Sequence, residues 1–307
     1  MSASATTTHV RPRMGTLLAL SVPADDPRRS RWVQVTFEAA AACERVMSRH
    51  DPDSDLSRVN RLAGRTPLLS APELARTLGT ARAWAERTGG SFDPTVVPIL
   101  DEWRRASRLG VVPSPHCLRA VRRRVGWEAI TVDGERVGLA RRGAAVDLGA
   151  FGKGVALDRI TAMLRRERCG AALLNFGESS LAAIGRPSRG AWRVLLRHPA
   201  GGFVGEFPLR DRACSTSGTR GRTLGGGRRG VSHVVDPRTG RPLRARAQVT
   251  VLARSAATAE ALSTALLVLG RPALAATARR FRVDVCWIDA SGLWLSPRFP
   301  LTPVATS

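Results

Sequence analysis

Residues 171–209 decide the fold class, and they read AALLNFGESSLAAIGRPSRGAWRVLLRHPAGGFVGEFPL. Short apolar segments alternate there with clusters of Gly, Pro, Ser and Asn, a pattern that is typical of strands joined by turns. The pattern predicts strands in succession over residues 171–175, 181–184, 192–197 and 205–209. Because no helix separates these strands, the segment does not fit the strand–helix alternation of a doubly wound sheet.

Helical patterns surround this strand-rich segment on both sides. Apolar residues recur at helical spacing over residues 32–48, 71–88 and 256–269, and a further helix is predicted over 152–168. Helices and strands are therefore interleaved without strict alternation, which predicts an α+β fold. A length of 307 residues and a hydrophobic content of 43% suit one large core or two lobes that share a cleft.

The N-terminal stretch, MSASATTTHVRPR, is mainly polar, and we expect residues 1–13 to form a flexible tail. The folded domain is expected over residues 14–307, as two interleaved lobes that begin with an apolar strand over 14–22. The stretch lacks the apolar segment of a signal peptide and the cysteine of a lipoprotein cleavage site. No apolar run reaches the roughly 18 residues of a membrane span. These features predict a cytoplasmic protein.

The charge of the chain is strongly positive, with 48 Lys+Arg against 25 Asp+Glu and a net charge of +23. Such a charge attracts polyanions. Nearly all of it is arginine, however, and the arginines are scattered from end to end. Tyrosine is absent and aromatic residues make up 5%, so stacking surfaces for single-stranded nucleic acid are scarce. We therefore expect no specific nucleic-acid partner, whereas the positive field would favour an anionic nucleotide.

A glycine-rich segment, VDLGAFGKGVALD at residues 146–158, precedes a predicted helix. Gly152 and Gly154 flank Lys153, so the backbone could approach a ligand closely, and a helix N-terminus favours an anion. The pattern is neither a P-loop nor the dinucleotide fingerprint. The residues alone suit an anion-binding loop and a glycine-rich helix start with a surface lysine equally well.

The predicted helix over residues 256–269 contains an unusual polar set. Glu260 and Thr264 lie four residues apart and share one helix face, and Ser263 lies beside them. A carboxylate and a hydroxyl on an apolar helix can bind one hard cation and leave positions for water and phosphate oxygens. Alternatively, Glu260 offsets the helix dipole and Thr264 bonds back to the backbone. Taken alone, this helix favours the second, structural interpretation.

Two turns complete the candidate segments. The sequence SHVVDPRTGRPL at residues 232–243 places His233 on a strand before a tight turn, where it could act as an acid, a base or a phosphate donor. A lone histidine is more often structural. The sequence TGGSFDPTVVPIL at residues 88–100 predicts a helix start at Asp93, which could contact a nucleotide or cap the helix.

Taken together and in this order, these segments resemble the ApbE family, the FAD:protein FMN transferases. The resemblance begins at Met14 and runs through most of the chain. Its eight segments, each weak alone, are MGT, SDLSRVN, TGGSFDPTVVPIL, VDLGAFGKGVALD, LLNFGESSLAAIG, STSG, SHVVDPRTG and AEALSTALLVLG. The resemblance implies a two-lobed α+β fold with mixed or antiparallel sheets, helices packed around them, and a central cleft for FAD and a metal.

The resemblance also implies site residues. His233 and Lys153 would be catalytic. The metal, Mg²⁺ or another divalent cation, would be bound by the Ala150 carbonyl and by Glu260, Ser263 and Thr264. FAD would be bound by residues of the glycine-rich segment and of several turns: Met14, Ser91, Phe92, Asp93, Asp147, Lys153 and Val234.

The implied reaction is the Mg²⁺-dependent transfer of FMN from FAD to a Thr or Ser hydroxyl of an acceptor flavoprotein, with release of AMP. Two positions depart from the family pattern. The family helix has Ala-Asp where this chain has Ala259-Glu260, and its Gly-Gly-Asp is Gly177-Glu178-Ser179 here. Two alternatives therefore stay open: a metal-dependent FAD pyrophosphatase that gives FMN and AMP, and a non-catalytic FAD-binding protein.

Overall fold

The computed structural model describes residues 6–187, 190–219, 223–224 and 231–304, with only the backbone described at 223, 224 and 231. The α-helices in this part of the chain are α1 Arg29–Met47, α2 Asp55–Arg61, α3 Pro72–Arg87, α4 Val97–Arg108, α5 Pro115–Arg122, α6 Gly152–Arg166, α7 Ala256–Leu269 and α8 Leu274–Phe281.

Strands account for most of the remaining regular structure. They are β1 Thr6–Arg13, β2 Thr16–Pro23, β3 Leu68–Leu69, β4 Ile130–Asp133, β5 Arg136–Leu139, β6 Ala172–Phe176, β7 Ser180–Ile184, β8 Trp192–Arg197, β9 Phe203–Leu209, β10 Ala213–Gly218, β11 Thr223–Leu224, β12 Val231–Ser232, β13 Val235–Asp236, β14 Arg241–Pro242, β15 Gln248–Ala253, β16 Asp284–Asp289, β17 Gly292–Leu295 and β18 Thr302–Pro303.

An eight-stranded sheet with the order β1-β2-β6-β7-β10-β15-β16-β17 organises the fold. Every neighbouring pair in this sheet is antiparallel. Two three-stranded antiparallel sheets have the orders β18-β9-β8 and β3-β5-β4, and β11-β12 and β13-β14 form two-stranded sheets in the described part of the chain. Helices and antiparallel sheets in this arrangement confirm the predicted α+β fold.

The central strands of the large sheet are buried on both faces. All five residues of β7 are buried, and successive residues point to opposite faces. Ala182 and Ile184 join the main core with helical residues of α1, α6 and α7, whereas Leu181 and Ala183 join a second core formed with β8 and β9. Covering both faces explains why residues 181–184 read as a continuous apolar run.

The N-terminal segment differs from the prediction. Strand β1 pairs with β2 along its whole length, from Thr6 opposite Pro23 to Arg13 opposite Thr16. The expectation of a flexible tail over residues 1–13 is therefore wrong for Thr6–Arg13, while residues 1–5 lie outside the described part. The polar composition gave no sign of a strand here. An edge strand can be polar, because it is stabilised by hydrogen bonds to its one neighbour and can expose one face to water.

Among the described residues, no helix combines the length and the apolar composition that crossing a membrane requires.

Candidate active site

Hydrogen bonds from α2 and from the turn before α4 fix the position of the glycine-rich segment. The Asn60 side chain accepts a hydrogen bond from the Val146 N–H at 2.8 Å and donates one to the Val146 carbonyl at 3.0 Å. The Asp147 N–H donates to the Pro94 carbonyl at 2.8 Å. The role of Asn60 could not be predicted from its own segment, SDLSRVN, because its partner Val146 lies 86 residues away.

The Asp147 carboxylate lies at the surface of this segment. One oxygen accepts the Gly149 N–H at 2.7 Å and closes a tight turn. The other lies 3.2 Å from the Arg49 guanidinium, which also approaches Asp101 at 3.7 Å. The carboxylate therefore orders the loop that leads to Lys153, beside an arginine that the sequence patterns did not indicate.

Helix α6 begins with an unusual hydrogen bond. The Gly154 N–H donates to Glu260 Oε2 at 2.7 Å, rather than to the Ala150 carbonyl four residues earlier. No backbone N–H of a described residue donates to the Ala150 oxygen, and Ala150 is exposed. This carbonyl is therefore available to an external ligand.

The Glu260 carboxylate contacts three donors from two elements, α6 and β7, while being only 3% exposed. Besides the Gly154 N–H from α6, it accepts the Ser180 hydroxyl from β7 at 2.5 Å, on Oε1. The Lys153 Nζ lies 2.9 Å from the same Oε1. A buried carboxylate is stable only with such partners. Ser180 is a further member of the site that sequence analysis did not identify.

Lys153 bridges the glycine-rich segment and α7. Its Nζ donates to the Gly149 carbonyl at 3.3 Å as well as contacting Glu260, and its side chain is 18% exposed. The structure therefore brings together the loop lysine and the helical glutamate, two predicted site residues from distant parts of the sequence.

Close packing of α6 against α7 fixes this geometry. A Cβ atom built on Gly154 would lie 2.6 Å from the Ala256 oxygen and 2.7 Å from the Ala257 Cα, so only glycine fits. One turn later, Asp158 caps α7 by accepting the Ser255 hydroxyl at 2.6 Å and the Ala256 N–H at 2.7 Å. Burial raises the pKa of Asp158, against these hydrogen bonds.

The position of Asp158 relative to Gly154 was a sequence signal for this contact. The two residues are four apart on α6, so they share a helix face. A glycine and an aspartate on one face suit a close helix contact and the cap of a neighbouring helix. Both residues lie in the segment VDLGAFGKGVALD, for which an anion-binding loop and a glycine-rich helix start were the two interpretations; neither included a contact with a second helix.

The two hydroxyls on α7 have different surroundings. Thr264 is half-buried and its hydroxyl makes no hydrogen bond to the described residues, so the expected bond back to the backbone is not formed. Ser263 is fully buried and bonds to Ser217 at 2.8 Å, to Ser215 at 3.2 Å and to the Glu260 carbonyl at 3.1 Å. This geometry disagrees with Ser263 as a metal ligand, because its hydroxyl holds α7 against β10.

The side chains of Ser91 and Phe92 point into the protein. The Ser91 hydroxyl donates to the Thr88 carbonyl at 2.7 Å. The Phe92 ring packs against Phe151, with ring centroids 5.5 Å apart. The Phe92 ring therefore packs this turn against the glycine-rich segment, while the Ser91 hydroxyl bonds within the turn itself.

Asp93 also has an internal role, and it does not begin the next helix as predicted. Its carboxylate accepts the Thr95 N–H at 2.8 Å and the Trp127 N–H at 3.1 Å. Helix α4 begins only at Val97, because these bonds hold the intervening residues in a turn. Burial raises the pKa of Asp93, while its hydrogen bonds oppose that shift.

Met14 reaches the glycine-rich segment from the turn between β1 and β2. Its N–H donates to Glu44 at 2.8 Å. Its Cε lies 3.1 Å from the position that a Cβ on Gly152 would take. Met14 therefore lies over the start of α6.

His233 and Val234 lie on a segment that is anchored to α4. The Val234 carbonyl accepts the Leu243 N–H at 2.9 Å, and Val234 packs against the main core. The Trp103 indole donates to the Gly240 carbonyl at 2.8 Å and holds the following turn. His233 is half-buried within this segment.

The second departure from the family pattern faces solvent. The Glu178 side chain is 76% exposed and lies 3.6 Å from Arg197. Its N–H is held by the Asn175 side chain at 3.0 Å. Glu178 is therefore not among the residues that contact the Glu260 carboxylate.

The chemistry of the donors fits a hard cation. Among the described residues, no cluster of three or more His, Cys, Asp or Glu side chains could bind a metal. The candidate donors are instead a carbonyl at Ala150, a carboxylate at Glu260 and a hydroxyl at Thr264. Oxygen ligands of this mixed kind suit Mg²⁺, which keeps several waters and binds substrate phosphates.

Comparisons with a family model and with individual relatives define the class of this protein. A family model described as the ApbE family matches residues 14–287. The FAD:protein FMN transferase of Escherichia coli is 28% identical over 302 residues, covering 93% of this chain and 86% of that protein. The FAD:protein FMN transferase of Treponema pallidum is 31% identical over 270 residues, covering 80% of this chain and 73% of that protein.

Solved structures of ApbE proteins share the fold of this chain. The flavin transferase ApbE from Vibrio cholerae has a TM-score of 0.83 at 26% identity, with 96% of this chain and 99% of that chain covered. The ApbE protein from Thermotoga maritima has a TM-score of 0.86 at 24% identity, with 95% and 97% covered, which shows the shared fold. The chain therefore belongs to the ApbE family. It is an enzyme of the transferase class.

Proposed function

We propose that this protein transfers FMN from FAD to a Thr or Ser hydroxyl of an acceptor flavoprotein, in a Mg²⁺-dependent reaction that releases AMP. Family membership and the names of the relatives support flavin transfer. The observation that carries the finer proposal is the convergence of Lys153 and the Gly149–Ala150 backbone with Glu260 on α7.

The FAD diphosphate is proposed to lie beside Lys153. The adjoining segments would bind the rest of FAD, since Met14 lies over Gly152, Phe92 packs on Phe151 and Asp147 bonds to Pro94. In this proposal the turn at Ser91, Phe92 and Asp93 contacts the adenosine part. Asp147 and Val234 complete the FAD surface.

The Ala150 carbonyl, Glu260 and Thr264 are the proposed ligands of the cation. When bound, Mg²⁺ would offset the charge that develops on the phosphate oxygens during transfer. Ser263 is left out of this set because its hydroxyl is engaged with β10. Positioning of substrate and electrostatic stabilisation are the main needs of phosphoryl transfer.

The bond changes are those of a phosphoryl substitution. The acceptor hydroxyl oxygen forms a bond to the FMN phosphorus while the bond from that phosphorus to the AMP oxygen breaks. His233 is proposed to receive the proton of the hydroxyl. Lys153 would hold the diphosphate in line as AMP leaves.

The test is incubation of the purified protein with FAD, MgCl₂ and host lysate, read by in-gel flavin fluorescence and by AMP quantification. We expect a covalently fluorescent band and matching AMP, both abolished by EDTA and restored by excess Mg²⁺. FMN and AMP without any labelled protein would indicate a pyrophosphatase. Tight FAD binding without AMP would indicate a non-catalytic binder, and metal-free labelling would contradict the role of Mg²⁺.

A further inference from the structure

We propose that the Lys153 ammonium and a divalent cation exclude each other at the Glu260 carboxylate. The free protein then binds the cation weakly, and the cation binds well only together with a nucleotide diphosphate that draws Lys153 away. The role of the diphosphate rests on the proposed function, whereas the competition at Glu260 does not.

The contacts of Lys153 are those that a hard cation would seek. Its Nζ lies 2.9 Å from Glu260 Oε1 and 3.3 Å from the Gly149 carbonyl. The neighbouring Ala150 carbonyl is the one left without a backbone donor. An ammonium group is a compact point charge with three donors, so it can stand in for a cation among oxygen atoms.

The other contacts of Glu260 leave little room for a second positive charge. Oε1 also accepts the Ser180 hydroxyl at 2.5 Å. Oε2 is bound to the Gly154 N–H at 2.7 Å, at the tight contact between α6 and α7. A dication on this carboxylate would lie within a few ångströms of the Lys153 ammonium, and in a buried setting that repulsion is large.

The identity of residue 153 supports a movable ammonium. Lys153 is the only lysine in a sequence with 48 Lys+Arg. Arginine is planar and pairs with carboxylates through two parallel bonds, whereas lysine is a flexible point charge. At the position that keeps lysine, the positive group contacts both a loop carbonyl and a buried carboxylate. A diphosphate offers Lys153 a more highly charged partner than Glu260, which frees Glu260 for the cation.

The first test measures Mg²⁺ binding, without nucleotide, by isothermal titration calorimetry. We expect Lys153→Met to bind Mg²⁺ at least about tenfold more tightly than the unaltered protein, because one nearby positive charge is removed. Arg166→Met is the matched control, since it removes an exposed positive charge from the same helix, and its affinity should stay within about twofold. Equal or weaker binding by Lys153→Met would overturn the proposal.

The second test needs no variant, so it holds even if Lys153→Met does not fold. Lysine labelled with ¹³C at Cε gives an NMR signal from one residue, because the sequence has one lysine. We expect this signal to shift at the Mg²⁺ concentrations where calorimetry detects binding, and at lower Mg²⁺ when ADP is present. Calorimetric Mg²⁺ binding with an unmoved Lys153 signal would contradict the exclusion. Neither test includes an acceptor protein, so failure to label acceptors leaves their outcome unaffected.

Discussion

Gly154 of α6 lies so close to Ala256 of α7 that a Cβ built on the glycine would be 2.6 Å from the Ala256 carbonyl oxygen. This contact joins the helix that carries Lys153 to the helix that carries Glu260. The backbone of the glycine donates to the glutamate in the same place. The distance between the two helices therefore sets the geometry of the site.

The Gly154→Ala variant tests this relationship. The added methyl group should force α6 and α7 apart and lower the free energy of unfolding by about 1–3 kcal/mol. Chemical denaturation measures the loss. Gly79→Ala is the control, because Gly79 lies in α3 with nothing within 4 Å of its Cβ position. That variant should gain about 0.5–1 kcal/mol. Equal effects of the two substitutions would argue against a tight contact at Gly154.

The second prediction concerns the negative charge of the Glu260 side chain. Glu260→Gln leaves Lys153 without its carboxylate and presents an amide group to the donors around it. We expect a loss of about 3 kcal/mol in unfolding free energy and a fall in acceptor labelling. Glu178→Gln removes an exposed carboxylate instead and should change neither quantity. Normal stability of Glu260→Gln would mean that the buried ion pair is not formed in solution.

Substitutions of Thr264 and of Ser263 should differ in their effects on flavin labelling and on the free energy of unfolding. Thr264→Ala removes a hydroxyl without an internal partner, so the unfolding free energy should change by less than about 0.5 kcal/mol, while flavin labelling is lost. Thr264→Ser should keep part of the labelling. Retained labelling by Thr264→Ala would remove this residue from the proposed metal site.

The buried hydroxyl of Ser263 should behave in the opposite way. Ser263→Ala breaks its bonds to Ser215 and Ser217 and should cost about 1 kcal/mol, measured by denaturation. Labelling per folded molecule should be unchanged. Loss of labelling with full stability would reinstate Ser263 as a metal ligand.

Asp158 gives a prediction for pH dependence. Burial raises its pKa above the ordinary value of 3.8, so the folded state binds this proton more tightly than the unfolded state. Its contribution to stability therefore falls as the pH rises from the unfolded pKa through the folded pKa. Denaturation curves from pH 3.5 upward should show this fall in the unaltered protein.

The matched variants isolate that effect. Asp158→Asn should lose about 1–3 kcal/mol, because an amide cannot accept the bonds from the Ser255 hydroxyl and from the N–H groups of Ala256 and Ala257 together. Its stability should also lack this component of the pH dependence. Asp53→Asn changes an exposed carboxylate and should keep the pH dependence of the unaltered protein. An unchanged pH profile in Asp158→Asn would show that the raised pKa is not realised.

The regular elements were largely predictable from local sequence. The bounds predicted for α7 and β8 match the structure, and the apolar pattern of α7 ends at Ser255, which caps the helix, and at Gly270. The family pattern indicated Lys153, Glu260 and Thr264 as candidate site residues, and the structure places Lys153 in contact with Glu260. Strand β1 was missed because its stability comes from pairing with β2 and its own residues are mainly polar.

The partners within the site were decided only by the tertiary structure. The order of the residues places Ser180, Gly154 and Glu260 far apart, and the last two are 106 positions apart. Spacing indicates which residues share a helix face, but it contains no information on which face of α7 meets α6. The close approach at Gly154 makes that choice. It turns Glu260 toward Lys153 and Ser180, because a buried carboxylate is stable only where donors surround it.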